Sequence, residues 1–268
     1  MIGDNLTKGN DFYKLIPNSV INRFNVNLIN KLIDIGFDVE SFIPYGKAHN
    51  GIEFVPQILL KGIDQNVISK WITSSYAIDQ SIDINFTWPM ESASPIHMSI
   101  WDENRNLFFD PDDRLELSEK AYSFMAGILS NFDEIFAIII ATSGVIPTVN
   151  YKKTFSIAHD DSILCTPPYF IEKNKKDRVG WSKRCIFRGN HPDANMYLVL
   201  SSVYLSGING IINNLNINDY NDNNYTIDSS SLEDKMFKLL KNKAICDLLG
   251  NEILAFIISR INRLISEV

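Results

Sequence analysis

The sequence predicts an α+β fold in which helices pack on a largely antiparallel sheet. Three observations support this prediction. Apolar residues recur at helical spacing in several separate segments, beginning with residues 18–36. Residues 82–88 alternate apolar and polar side chains, as a half-buried strand does. No internal repeat and no compositional break interrupts the 268 residues, so we expect a single domain spanning residues 1–268.

The remaining elements follow from the same two patterns. Helical periodicity also occurs from Ser118 onward and in residues 64–78, 132–141, 193–212, 232–240 and 251–266. Extended segments are predicted at residues 39–44, 52–55, 96–101 and 184–188, with 96–101 as the antiparallel partner of 82–88. Ser118 is expected to cap its helix. Residues 150–181 and 213–230 are predicted to be irregular.

The composition argues against several classes of function. The net charge of −7 and the pI near 5.1 disfavour a nucleic-acid-binding protein or a polybasic membrane-surface protein, because both rely on lysine and arginine. The first residues lack the pattern of a signal peptide, and the longest apolar run, residues 136–141, is far shorter than the ~20 residues of a membrane-spanning helix. The three cysteines are scattered, which fits a reducing compartment. We therefore expect a soluble, cytoplasmic protein with no nucleic-acid or membrane partner.

Two long blocks of sequence carry a family resemblance. Residues 90–102 read MESASPIHMSIWD, followed by NLF at 106–108 and LSEKAYSFMAGIL at 117–129. Residues 188–198 read RGNHPDANMYL, followed by SGINGI at 206–211. In order and separation these blocks resemble the glutamine synthetase catalytic domain, whose signatures include N-G-S-G-M-H-x-H-Q-S-L-W-D and R-F-P-D-P-A-A-N-P-Y-L. The resemblance runs from about residue 18 to the C-terminus, and we expect the family's N-terminal β-grasp domain to be absent.

The resemblance implies a demanding electrostatic chemistry. In that family a phosphoryl group passes from ATP to the carboxylate of glutamate, and ammonia then displaces it to form an amide. Phosphoryl transfer of this kind depends on positioning and on neutralising the charge of the phosphates. Carboxylates and a histidine hold the divalent ions that do this, together with several arginines.

Compared with that pattern, this sequence lacks most of the charged ligands. Pro95 stands where the family has its metal-binding histidine, and Ile186 stands where it has the glutamate of an E-x-R motif. The family also has a pair of metal-binding glutamates, and the corresponding positions in this sequence are residue 43 or 44 and Gly51. Neither proline, isoleucine nor glycine offers a side-chain ligand, so we expect no metal site.

Two relics of the family motifs remain as candidate pocket residues. The second histidine of H-x-H is His97, and the arginine of E-x-R is Arg188. His97 can be a hydrogen-bonded structural histidine or a ligand-binding one. Arg188 can grip a carboxylate through two parallel hydrogen bonds or pair with a nearby acid of the protein. Acidic residues 160–161 occupy the place of a phosphate-binding arginine.

Two glutamates are candidate replacement acids. Glu53 follows a lost glutamate by two positions, so it shares that strand face. Glu91 lies on the same loop as His97. Residues 159–161 are interpreted as an exposed loop, and the acidic run at 110–113 as a turn, because neither has the spacing of a metal site.

These observations favour a degenerate, non-catalytic relative that acts as a partner-binding or small-ligand-binding subunit and needs no cofactor. The alternative is a repurposed or heteromeric ATP-dependent carboxylate–amine ligase, and Mg and ATP are expected only in that case. A homo-oligomer or a complex with a full-length relative is compatible with both hypotheses. The broad apolar face of residues 253–265 either packs on the domain itself or is buried by such a partner.

Overall fold

The computed structural model describes residues 20–45, 49–55, 57–86, 95–146, 152–156, 162–166, 183–220 and 231–267. The chain divides into two compact units, residues 1–85 and 86–268, and each is described by itself. A single domain over residues 1–268 stays a prediction.

The first unit consists of two helices and a hairpin. Helix α1 covers Val20–Asp34, strands β1 and β2 cover Val39–Tyr45 and His49–Phe54, and helix α2 covers Leu59–Asp79. The two strands are antiparallel. The apolar face of α1 supplies most of a small core, whose buried members are Phe24, Leu28, Leu32 and Ala77. The predicted helix, strands and helix are therefore confirmed, with α2 longer at both ends than its periodic segment.

One strand prediction in this region is wrong. Residues 82–86 form no strand, and residues 87–90 lie outside the described residues. Ile82 and Ile84 instead pack against the core of the first unit. An alternation of apolar and polar residues indicates only that one side of an extended segment is buried. Packing against a hydrophobic core can bury that side without any partner strand.

The second unit contains a four-stranded sheet. Its strands are β3 (Ile96–Met98), β6 (Lys152–Ser156), β7 (Ser162–Cys165) and β8 (Cys185–Phe187), in the order β3-β8-β7-β6. Strand β8 is antiparallel to both of its neighbours, and β6 and β7 are parallel. The partner of β3 is thus β8 rather than residues 82–88, which corrects the predicted pairing. Strands β6 and β7 also correct the prediction that residues 150–181 are irregular.

A short hairpin and a turn precede the first helix of this unit. Strands β4 (Trp101–Asp102) and β5 (Arg105–Asn106) pair antiparallel. The predicted turn at residues 110–113 is confirmed, and the Asp113 carboxylate accepts hydrogen bonds from the backbone N–H groups of Leu115 and Leu117 and from the Tyr122 hydroxyl. Burial and the hydrogen bond to this carboxylate raise the pKa of Tyr122.

The described residues of the second unit also form five α-helices and a short 3-10 helix, Ile217–Asp219. The α-helices are α3 (Glu119–Ser130), α4 (Phe132–Ser143), α5 (Met196–Ile212), α6 (Leu232–Lys241) and α7 (Lys243–Ser266). The predicted cap is confirmed, because Ser118 Oγ accepts a hydrogen bond from the Ala121 N–H at 3.2 Å. Residues 135–141 of α4 are all buried, so the longest apolar run is a core helix.

Of the last two helices, α6 begins at Leu232 as predicted, whereas α7 begins earlier than predicted. Helix α7 starts at Lys243 and bends at Gly250, whose backbone is not helical (φ 71°, ψ 166°), so the predicted segment 251–266 is only its second part. Asn242 links the junction of α6 and α7 to α4, since its Nδ2 donates to Asn131 Oδ1 at 2.7 Å. Lys238 pairs with the buried Asp133 of α4, and that hydrogen bond raises the pKa of Lys238.

No single helix among the described residues is long and apolar enough to cross a membrane. Helices α3 and α4 reach that length and composition only as a pair bent by 60°. Their apolar side chains form much of the core of the second unit.

Candidate functional site

The candidate site lies on one face of the four-stranded sheet, around Ile186 of β8. Register places His97 of β3 and Cys165 of β7 directly opposite Ile186 on its two sides. Residues that face each other across an antiparallel pair project from the same face of the sheet. The structure therefore brings His97 and Ile186 together, as the family resemblance implies.

Two arginines flank this face. Arg188 follows Ile186 by two positions, and its N–H donates to the carbonyl of Ile163 at 2.9 Å, which extends the strand pairing past the end of β8. Arg184 precedes Ile186 by two positions, and side chains two positions apart in an extended strand project to the same side. The sequence interpretation missed Arg184. The signal was available, because alternation alone puts positions 184, 186 and 188 on one side of a strand.

The centre of this face is apolar. His97 is exposed, Arg188 is partly exposed, and the Ile186 side chain is only 4% exposed. Ile186 thus fills with hydrocarbon the position that the family resemblance assigns to a metal-binding carboxylate. On the other face of β8, burial raises the pKa of Cys185, which keeps this thiol protonated and unreactive.

The residues present do not fit the divalent ions that the family chemistry requires. Pro95 precedes β3 and offers no ligand. In the first unit Gly51 pairs with Ile43, and Pro44, the other position considered for the lost glutamate, pairs with Asn50, so neither alternative provides a carboxylate. Within the described ranges no three His, Cys, Asp or Glu side chains converge to hold a metal ion. Glu91 and residues 159–161 lie outside the described residues.

Glu53, the other candidate replacement acid, belongs to the hairpin of the first unit. Its Oε2 accepts a hydrogen bond from Ser41 Oγ at 2.7 Å, and the two residues are register partners across β1 and β2. This contact gives Glu53 a structural partner within the hairpin. Its role as a replacement acid stays a prediction.

A separate groove lies at the N-terminus of α5 and was not anticipated from the sequence. It has a volume of about 430 Å³ and is lined by Thr142, Asn195, Tyr197, Leu198, Glu252, Ile253 and Phe256. Asn195 caps α5, since its Oδ1 accepts from the N–H groups of Tyr197 and Leu198. The groove involves α4, α5 and α7, which are far apart in sequence, so no local pattern could have predicted it. Neither His97 nor Arg188 lines it.

The broad apolar face predicted at residues 253–265 is divided between burial and exposure. Ile257 and Ile261 are fully buried in the second unit, whereas Ile253 is exposed beside the groove. Part of this face therefore packs on the unit itself, which agrees with the first of the two predicted alternatives, packing within the protein rather than burial by a partner.

The sheet, its flanking helices and the retained motif residues define a protein built on the catalytic fold of glutamine synthetases. The family model described as "Glutamine synthetase, catalytic domain" matches residues 3–153, just over half of the chain. The chain therefore belongs to this family, and the predicted resemblance is confirmed, with its start nearer the N-terminus than residue 18.

Individual relatives agree with this assignment. The chain is 25% identical to a glutamine synthetase of Staphylococcus epidermidis over 90% of its own length, and 26% identical to one of Clostridium saccharobutylicum over 76%. It spans 58% and 47% of those two proteins, respectively.

Solved structures show the same fold. A crystal structure of a novel glutamine synthase homolog has a TM-score of 0.77 at 18% identity, covering 92% of this chain and 59% of that one. The cryo-EM structure of Plasmodium falciparum glutamine synthetase has a TM-score of 0.74 at 16% identity, covering 96% and 60%.

Proposed function

We propose that this chain is a degenerate member of the glutamine synthetase family that does not catalyse amide formation. It acts instead as a subunit that binds a small anionic ligand or a protein partner. The single observation that carries this proposal is Ile186, a buried apolar side chain between His97 and Cys165 at the position of the glutamate of the family's E-x-R motif.

The energetic argument concerns uncompensated charge. A triphosphate with its metal ions needs carboxylates to hold the ions, and two of the positions concerned in the second unit carry Pro95 and Ile186, which offer none. Leaving a buried charge without its partner costs about 3–5 kcal/mol. Two or more such losses are enough to remove productive binding of the nucleotide.

What remains of the site suits a simpler ligand. From strand alternation we infer that Arg184 and Arg188 project from the same face as Ile186 and its register partner His97, and arginine binds carboxylates through two parallel hydrogen bonds. A small carboxylate needs no metal ion for such binding. This basic face supports the ligand-binding part of the proposal.

A second candidate is a heteromeric or repurposed ATP-dependent ligase. The retained basic residues His97 and Arg188 favour it. A full-length relative could then supply the missing acids in a mixed complex, and Mg and ATP would act there.

The test is an assay of γ-glutamyl transfer and phosphate release with glutamate, Mg-ATP and hydroxylamine. The Staphylococcus epidermidis relative serves as the positive control. Each lost electrostatic group costs about 10²–10³-fold in rate, so we expect the protein to be slower by at least about 10⁴-fold. Product formation that disappears in Arg188→Ala would contradict the proposal. Product formed only after addition of a full-length relative would favour the heteromeric ligase.

A further inference from the structure

The groove at the N-terminus of α5 has the size and the lining of a small-molecule site. Its volume of about 430 Å³ lies within the range of about 300–1,000 Å³ that is typical of ligand pockets. Its apolar walls are formed by Tyr197 and Leu198 of α5 and by Ile253 and Phe256 of α7. All of the lining residues belong to the second unit, and the groove is separate from the candidate site on the sheet.

The walls of this groove are held in place by the protein itself. The Asn195 N–H donates to Thr142 Oγ1 at 3.1 Å, and Thr142 Oγ1 donates in turn to the carbonyl of Ile138 at 2.7 Å. The wall formed by α7 is directed by Gly250, two residues before Glu252, because its backbone angles lie in a region that is nearly exclusive to glycine. The groove is therefore formed before any ligand arrives.

The groove offers one negative charge to a ligand. Among the described residues that line it, Glu252 is the only charged one. No ion pair within the described part of the chain involves its carboxylate. Arg260, the next basic residue along α7, donates instead from Nε to the carbonyl of Ala141 at 3.4 Å. The net charge of the protein, −7, also favours a cation over an anion.

The aromatic lining points to an organic cation rather than a metal ion. The side chains of Tyr197 and Phe256 are 38% and 51% exposed, so a ligand in the groove can contact both. The faces of aromatic rings attract ammonium groups, and aromatic side chains are the usual recognition elements for such ligands. A divalent metal ion needs several oxygen ligands, whereas Glu252 supplies the only carboxylate among the described lining residues.

We propose that this groove binds an organic ammonium ion, with its cationic head beside Glu252 and a small apolar body against Tyr197 and Phe256. A small molecule fits better than a protein partner, because the groove has seven described lining residues and a stable protein interface uses about 20–30 residues a side. This site goes beyond the proposed function, and its ligand carries the opposite charge to the carboxylate proposed for the sheet.

Three probes of one shape and different charge test the ligand class. They are phenethylamine, which is a cation at neutral pH, the neutral 2-phenylethanol and the anion phenylacetate. Each is titrated into the full chain and followed by ligand-observed NMR. We expect phenethylamine to bind with a dissociation constant of about 0.1–1 mM. The alcohol should bind at least about threefold more weakly, and phenylacetate at least about tenfold more weakly, because only the amine pairs with Glu252.

Two variants test the two halves of the proposed contact. Glu252→Gln should weaken phenethylamine to the affinity of 2-phenylethanol while leaving the alcohol unchanged. Phe256→Ala should weaken both by about fivefold or more, since both place the same ring against the groove. The matched controls on α6 are Glu233→Gln and Phe237→Ala, which change exposed residues outside the groove and should alter nothing. Circular dichroism establishes that all four variants are folded.

Arg188→Ala separates this proposal from the proposed function. It should leave the binding of phenethylamine unchanged, because Arg188 does not line the groove. The proposal is overturned if phenethylamine does not bind at up to ~10 mM, or if phenylacetate binds as tightly. It is also overturned if Glu252→Gln has no effect, or if Arg188→Ala abolishes the binding of the amine.

Discussion

Replacing Gly127 with alanine is expected to lower the free energy of unfolding of the second unit by about 3 kcal/mol or more. Gly127 lies where helices α3 and α5 cross. A Cβ atom there would lie 2.1 Å from the carbonyl oxygen of Ser206 and 2.9 Å from Cα of Gly210. A larger residue at position 210 is excluded in the same way, since its Cβ atom would lie 2.1 Å from the Ser123 carbonyl oxygen. These neighbours are backbone atoms, so the helices would have to separate and lose packing along their whole contact.

The matched control is Gly62→Ala in helix α2. Its Cβ would meet nothing closer than 3.9 Å, so the change should raise stability by about 0.5–1 kcal/mol through helix propensity. Urea denaturation followed by circular dichroism measures both variants. A Gly127→Ala protein within about 0.5 kcal/mol of wild type would show that the two helices do not approach as closely as described.

The second large effect is expected at Lys183, a buried cation just before β8. Its side chain is only 7% exposed, its Nζ donates to the carbonyl of Leu115 at 2.8 Å, and it forms an ion pair with Glu116 at 3.4 Å. Lys183→Met leaves the largely buried Glu116 carboxylate without this partner. Removing one member of a buried ion pair costs about 3–5 kcal/mol, and we expect a loss in that range.

Lys61→Met is the control for that substitution, because the exposed pair of Lys61 with Asp38 should contribute less than about 1 kcal/mol. Adding Glu116→Gln to Lys183→Met should recover part of the lost stability, since it removes the unpaired charge. Equal losses in Lys183→Met and Lys61→Met would mean that the Lys183 pair is solvated rather than buried.

The helices were predictable because their signals are local. Ser118 caps α3, and Gly36, with φ +94°, follows the end of α1. The beginning of α7 was missed: the predicted segment started at residue 251, whereas the chain bends at Gly250 and is helical on both sides. A glycine marks a change of backbone conformation, but the surrounding packing decides whether the helix ends.

The sheet was harder to predict because strand pairing is not local. Strand β3 pairs with β8, about ninety residues later in the chain, and no sequence pattern specifies that choice. Residues 82–88 lie closer to β3 in the chain and show a more regular alternation of apolar and polar residues, so they were predicted as its partner. Strands β6 and β7 are short and lie between polar stretches, so they produced no periodic signal of their own.

The candidate site was predicted through motifs, and the structure supplied its geometry. His97, Ile186 and Arg188 were identified from the family motifs, and register places His97 directly opposite Ile186 in the sheet. Arg184 was missed because the motif considered began at Ile186. Burial of Ile186 could not be predicted, since it depends on residues distant in sequence.

The most direct test of the proposed loss of catalysis is a calorimetric titration of the protein with Mg-ATP. The Staphylococcus epidermidis relative is titrated in parallel to show that the measurement detects nucleotide binding. We predict no saturable heat for this chain at nucleotide concentrations up to about 1 mM, which corresponds to binding weaker than about −4 kcal/mol. Saturable binding at micromolar concentration that requires Mg and is lost in Arg188→Ala would contradict it.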